Sequence, residues 1–272
     1  MKTAFFLAAV ASAIVLGAAA QADDTPSELR AGMVAGYLKP AELPDSVALL
    51  PPPPALNSPS EAVDQQVARD TLALQGGDRF KLAAIDADLT FPNAAGTFSC
   101  AIGVAITADD TPTLYKLLHR VEADAGGATG AAKDKYQHAR PFMLDYRPTC
   151  TPKFETALRA SGSYPSGHTS IGWAWAQILA EIAPERSDAI LARGRAFGES
   201  RLVCNAHWAS DVEEGRTVAS ATVARLHASA EFRADLATAA TELQAARDKG
   251  LKPQRDCDFE AQTLKATPWL TP

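Results

Sequence analysis

Apolar positions in this chain recur with a helical period far more often than they alternate. Residues 166–183, SGHTSIGWAWAQILAEIA, are apolar on almost every side and bounded by prolines. At that length the pattern predicts a buried central helix, although GWAWA taken alone also suits a strand. Downstream, Ile190, Gly194, Phe197 and Arg201 recur at i, i+4, i+7 and i+11, which places Arg201 on the inward face of the next helix. Ser210 and Glu213 are spaced as a capping box, and Val212, Val218, Ala219, Thr222, Val223 and Leu226 form the apolar stripe of a further helix. Upstream, Asp110 offers an N-cap to TPTLYKLLHRVEADA, with Pro112 in the first turn. Gly126, Gly127 and Gly130 predict an interruption, after which a second helical piece runs through AAKDKYQHA until Pro141. Strand signals are sparse and no repeat has a solenoid period, so the expected fold is all-α, a single-domain helical bundle around a buried central helix.

The two ends of the chain depart from this pattern. Residues 1–22, MKTAFFLAAVASAIVLGAAAQA, join one lysine to an apolar run and then to small residues, and read as an export signal cleaved at Ala20 or Ala22. The run is short for a membrane anchor and has no charged stop. About 250 residues then remain, enough for one large domain. Residues 23–60, with YLKPAELPDSVALLPPPPALNSPS, are too rich in proline for regular helix and read as an N-terminal arm, leaving 61–272 as the helical domain. No later run is long and apolar enough to span a membrane, so the expectation is a soluble periplasmic or secreted protein.

Charge and cysteine content narrow the chemistry. With 26 Lys and Arg against 32 Asp and Glu, the formal charge of −6 makes the chain a poor general binder of nucleic acid. Cys100, Cys150, Cys204 and Cys257 are an even number in a compartment that permits disulfides, with three pairings open. None has Cys-x-x-Cys spacing, which argues against a zinc site and a thioredoxin-like motif.

Three segments carry candidate chemistry: KDKYQHARP at 133–141, PSGH at 165–168 and SRLVCNAHWASD at 200–211. Lys133 and Arg140 are two helical turns apart and share a face, which alone describes a solvated basic edge. Ser166 at an N-cap, followed by the free amides of Gly167 and His168, makes a helix-start anion cradle. Arg201 adds a planar fork for phosphate or carboxylate. His207 lies four residues before Asp211, close enough for the carboxylate to accept the Nδ1 proton and leave Nε2 free. His119, His138 and His227 read as structural. The cations Lys133, Arg140 and Arg201 would oppose a divalent metal beside His168, His207 and Asp211, so the charge pattern favours an anionic ligand, with no metal and no cofactor. Serine hydrolase chemistry is not supported, since the chain after the signal has no G-x-S-x-G.

Taken in order, Lys-x6-Arg-Pro, Pro-Ser-Gly-His and Ser-Arg-x5-His-x3-Asp resemble the three-part signature of the type 2 phosphatidic acid phosphatase superfamily, which also contains vanadium-dependent haloperoxidases. The export signal, the proline-rich arm, GSYPSGHT and CNAHWASDV are further similar to class A bacterial nonspecific acid phosphatases. The resemblance implies a metal-independent hydrolase of small phosphomonoesters, inhibited by phosphate or vanadate. It implies His207 as the nucleophile that becomes phosphohistidine, oriented by Asp211, and His168 as general acid and then base. Lys133, Arg140, Ser166, Gly167 and Arg201 would hold the phosphate oxygens. It also implies phosphotransfer to alcohols and, with the base rate of symmetric assemblies, a homodimer or higher homo-oligomer. Asn205 stands where glycine is usual in the family pattern, and Lys135 and His138 where His and Arg are frequent; Asn205 is expected to narrow the pocket or add a hydrogen bond. An optimum on the acid side of neutral is expected, with the phosphate site raising the pKa of His168.

Overall fold

The computed structural model describes residues 34–266, so the export signal, residues 23–33 and residues 267–272 lie outside the described residues. The described chain is helical and contains no strand. Nine longer helices follow in order: α1 Pro59–Leu72, α2 Asp78–Asp86, α3 Pro112–Gly127, α4 Gly130–Tyr136, α5 Gly167–Ile182, α6 Ser187–Val203, α7 Ala209–Leu226, α8 Ala230–Asp248 and α9 Cys257–Ala266, with shorter turns of helix between them. The central helix is α5, packed against α3, α6 and α7. Its Trp175 is buried and donates through Nε1 to the Leu118 carbonyl at 2.8 Å, which satisfies the indole in the core. GWAWA is thus helical: its apolar residues meet neighbouring helices on several sides, as in a fully buried helix.

Two glycines set how closely these helices approach. A Cβ at Gly172 of α5 would fall 2.1 Å from the Phe197 ring of α6, and one at Gly215 of α7 would fall 2.7 Å from the Ser166 carbonyl oxygen. The second contact brings the start of α5 against α7, so the anion cradle and the Asp211 segment share one wall. Ile190, Gly194, Phe197 and Arg201 are all buried, as their spacing predicts.

Several helix boundaries differ from the pattern-based expectation. Thr111, not Asp110, precedes Pro112, and the amides of Thr113 and Leu114 are capped from a distance by the Glu242 carboxylate of α8. A cap supplied by another helix leaves no trace in local spacing. Gly126 and Gly127 stay within the last turn of α3, and α4 ends before Gln137, whose φ of 44° turns the chain well ahead of Pro141. Ser210 and Glu213 do not form a capping box. Helix α7 begins two residues earlier, after Trp208, whose amide donates to Asp211 Oδ2 at 2.9 Å, while Ser210 donates through N and Oγ to Asp64 of α1 at 2.8 and 2.6 Å.

Residues 34–58 run over the helices. Tyr37 and Leu38 donate their amides to Asp124 of α3, Ser46 Oγ accepts from the Ala132 amide of α4, and Pro51 accepts from the Tyr164 hydroxyl at 2.8 Å. Of the three open cysteine pairings the structure forms Cys100–Cys257 and Cys150–Cys204. The first ties α9 to the segment before α3. The second fastens the chain that follows Arg140 to the turn that carries His207.

Candidate active site

The site is assembled from four stretches of chain meeting at the start of α5. Ser166 is fully buried with φ −71° and ψ 113°, and its Oγ accepts from Thr169 N at 3.3 Å and from Thr169 Oγ1 at 2.9 Å. This cap leaves the amides of Gly167 and His168 pointing outward from the first turn, where an α-helix makes no use of them. The Ser166 amide itself donates to the Asp211 carbonyl at 2.8 Å, which locks the cradle to α7. A Cβ at Gly167 would lie 3.8 Å from Lys133 Cε, so Lys133 stands beside the cradle; its Nζ donates to the Gly162 carbonyl at 2.9 Å.

Arg140 reaches the same loop from the other side. Its guanidinium donates to the carbonyls of Leu158, Ser161, Gly162 and Ala206, and Nη1 lies 2.9 Å from His207 Nε2. A guanidinium has only donors, so Nε2 must present its lone pair there. The opposite ring nitrogen, Nδ1, is 3.1 Å from Asp211 Oδ2 and donates to it. His207 is therefore the Nδ1–H tautomer with Nε2 directed into the cationic cluster.

Arg201 completes the cluster. It is 1% exposed, its carbonyl accepts from the amides of Ala206 and His207, and its Nε and Nη1 have no hydrogen-bond partner among the described residues. A buried guanidinium with unmet donors is the protein side of an anion site. His168 and Arg201 line the same cavity, and the His168 ring donates through Nε2 to the Ala87 carbonyl at 3.1 Å, which leaves Nδ1 for chemistry. The structure thus brings together all eight residues proposed from sequence: Lys133, Arg140, Ser166, Gly167, His168, Arg201, His207 and Asp211.

Two further residues join the site without having been singled out for it. Ser163 donates its hydroxyl to Asp211 Oδ2 and sits 3.2 Å from His207 Nδ1. His138, read from sequence as structural, faces Asp211 Oδ1 through Nδ1 at 3.4 Å. Spacing could not reveal either contact, because both depend on the loop that folds residues 138–163 back over α7. Asn205, whose φ is 57°, occupies a left-handed position that asparagine tolerates, and its Nδ2 donates to the Asp145 carboxylate at 3.1 Å. The added hydrogen bond therefore braces the Cys150–Cys204 loop. Lys135 is exposed over the Tyr136 ring.

Electrostatics follow from burial of like charges. Burial first and Arg140 second push Lys133 down to about 7, and burial with the same neighbour brings Arg201 to about 9. Burial brings Arg140 to about 10. Burial alone would raise Asp211, but hydrogen bonds from His138, His207 and Ser163 hold its carboxyl well below the usual range. For His168 and His207 burial is the main downward push, followed by Arg201 at His168 and Arg140 at His207. The expected upward shift of His168 is thus not a property of the protein's own groups, which act in the opposite sense; a bound phosphate anion must supply it.

A stability prediction follows. Both histidines have folded-state values below an unfolded value of about 6.5, so below that pH the unfolded chain binds protons that the folded chain refuses. The stability these two histidines contribute is expected to be lost as pH drops from about 7 to about 5, against an opposite contribution from Glu122, whose carboxyl burial pushes up to about 7, so the thermal midpoint of the wild type should fall further than that of His168→Ala. Inorganic phosphate should offset the fall, and calorimetry with and without phosphate checks both parts.

Residues 121–234, which include every one of these positions, match the family model described as the PAP2 superfamily. A non-specific acid phosphatase of Providencia stuartii is 46% identical over 207 residues, covering 76% of this chain and 84% of that protein. An acid phosphatase of Zymomonas mobilis is 42% identical over 77% of this chain and 79% of its own length. A non-specific acid phosphatase of Salmonella typhimurium is 40% identical, with 76% and 83% covered.

Proposed function

The chain belongs to the PAP2 superfamily and is an acid phosphatase, and from that premise we propose that it is exported and hydrolyses phosphate monoesters of broad specificity through a phosphohistidine at His207, without a metal ion. The observation that carries this reading is the His207 tautomer: Nδ1 is held by Asp211 and the Nε2 lone pair faces the Arg140 guanidinium. Three cations and the helix-start amides spread the charge of the non-bridging oxygens, and Arg140 exchanges its contact with Nε2 for a phosphate oxygen.

In the first step the Nε2 lone pair forms the N–P bond while the P–O bond to the alcohol breaks, and His168 passes a proton to the departing oxygen. Asp211 stabilises the positive charge on the ring through Nδ1. In the second step His168 takes a proton from water, the hydroxide oxygen bonds to phosphorus and the N–P bond breaks, returning His207 to its starting tautomer. An alcohol in place of water gives transfer of the phosphoryl group instead. A metal ion is not required, because the positive charge a metal would bring is already present on Lys133, Arg140 and Arg201.

Export is supported by the N-terminal signal pattern and by two disulfides, which persist in oxidising compartments. Among the described residues no helix is long and apolar enough to cross a membrane. The purified protein is expected to hydrolyse p-nitrophenyl phosphate at about pH 5–6 with undiminished rate in excess EDTA. Activity lost to EDTA and restored by a divalent metal would overturn the metal-free reading.

A further inference from the structure

The cavity that His168 and Arg201 line has a volume of about 560 Å³, within the range that holds a small molecule. It is where the leaving group of a phosphate ester held at Arg201 would lie, and its walls are not neutral toward that group. One wall is Phe91, fixed by face-to-face stacking on His119 with ring centroids 4.1 Å apart and by an edge contact with Tyr115 at 5.0 Å. Phe154, 40% exposed, and Leu158 add further apolar surface. Such walls suit a flat or apolar spacer.

Helix α3 brings one acid to this apolar surface. Glu122 lines the cavity with His119 and Ala123, the neighbours at i−3 and i+1 on the same side of the helix. Its Oε2 is buried with no hydrogen-bond partner among the described residues. Burial pushes its carboxyl up to about 7. An unpartnered carboxylate in such surroundings is costly to keep and is a candidate contact for a ligand. The cavity is lined by two groups of opposite sign with unmatched atoms, the Arg201 guanidinium and the Glu122 carboxyl, and by Asp88, whose carboxylate already accepts from Thr90 N and Asn93 Nδ2. That arrangement complements a zwitterion.

We propose that Glu122 is a specificity-determining residue that selects phosphate monoesters whose leaving group carries an ammonium group on an aromatic or apolar spacer. The phosphate sits in the cationic cradle and the ammonium donates to Glu122. This inference rests on the phosphatase reading. Because Glu122 must be ionised to attract a cation, the preference grows as pH rises toward and past neutrality, even where overall turnover declines.

The test compares kcat/KM for 4-(aminomethyl)phenyl phosphate and its uncharged isostere 4-ethylphenyl phosphate, with unsubstituted phenyl phosphate as control, in the disulfide-intact protein, Glu122→Gln and Glu122→Leu. The expected wild-type ratio of amine to ethyl substrate exceeds that of Glu122→Leu by about tenfold and rises from about pH 5 to about pH 8, with phenyl phosphate turnover within about twofold in all three proteins. Glu122→Gln, which keeps the shape and removes the charge, should lose the pH dependence of the ratio. A ratio unchanged between wild type and both variants, and flat with pH in the wild type, would overturn the proposal while phenyl phosphate turnover leaves the phosphatase reading standing. Absence of phenyl phosphate turnover in the wild type would overturn both.

Discussion

Replacing His207 with alanine is expected to lower kcat on p-nitrophenyl phosphate by on the order of 10⁴ to 10⁶, because it removes the proposed nucleophile and not only a contact. The fold should tolerate the change. His207 is 3% exposed, but among the described residues its ring hydrogen-bonds to Arg140, Ser163 and Asp211, and the Cys150–Cys204 disulfide still fastens the turn that carries it. Phosphate should still bind the variant, since Lys133, Arg201 and the α5 amides remain. Stopped-flow or long-incubation kinetics with a phosphate titration by calorimetry check both halves. A variant that keeps more than about a tenth of wild-type kcat would remove His207 from the nucleophile's role.

The second large effect concerns His168. Its Nε2–H is committed to the Ala87 carbonyl, so the proton it gives to the leaving oxygen must sit on Nδ1, and the ring must be an imidazolium when the ester is bound. His168→Ala is expected to lose on the order of 10²- to 10⁴-fold in kcat/KM with alkyl phosphates, whose alkoxides need a proton. The loss should be much smaller with p-nitrophenyl phosphate. Equal losses with both would assign His168 a binding role. The same requirement fixes the sign of the pH dependence. Burial and Arg201 lower the His168 pKa, so without an anion the acid form vanishes early as pH rises, and the bound phosphate is what carries the acid form upward. Activity with alkyl phosphates should therefore fall on the alkaline side sooner than activity with p-nitrophenyl phosphate, a difference that parallel pH–rate profiles would reveal.

The residues gathered at the candidate site were legible in sequence because they stand in short spacings: a cap followed by free amides, a histidine four residues before an aspartate, an arginine at an inward helical position. Long helices were legible for the same reason, since α5, α6 and α7 each carry the period of a buried face. What escaped was whatever one segment does for another across the fold. The cap of α3 comes from Glu242, more than a hundred residues away, and Ser210 turned to Asp64 in place of Glu213. Ser163 and His138 reach Asp211 only because the 138–163 loop lies over α7. The disulfide partners were open for the same reason. Asn205 sits between these cases: its identity marked a departure from the family pattern, but only its φ of 57° and its bond to Asp145 explain how the chain accommodates it.

The covalent bond proposed between phosphorus and His207 Nε2 is tested most directly by trapping. Protein mixed with a labelled phosphomonoester and quenched in alkali, where phosphohistidine persists, is predicted to carry label on the peptide containing His207 at close to one phosphoryl group per active site. His168→Ala should retain or increase that label with p-nitrophenyl phosphate, because loss of the base slows hydrolysis of the intermediate. Full turnover with no trapped label, or label on Ser163 or Ser166 in place of His207, would rule out His207 as the nucleophile.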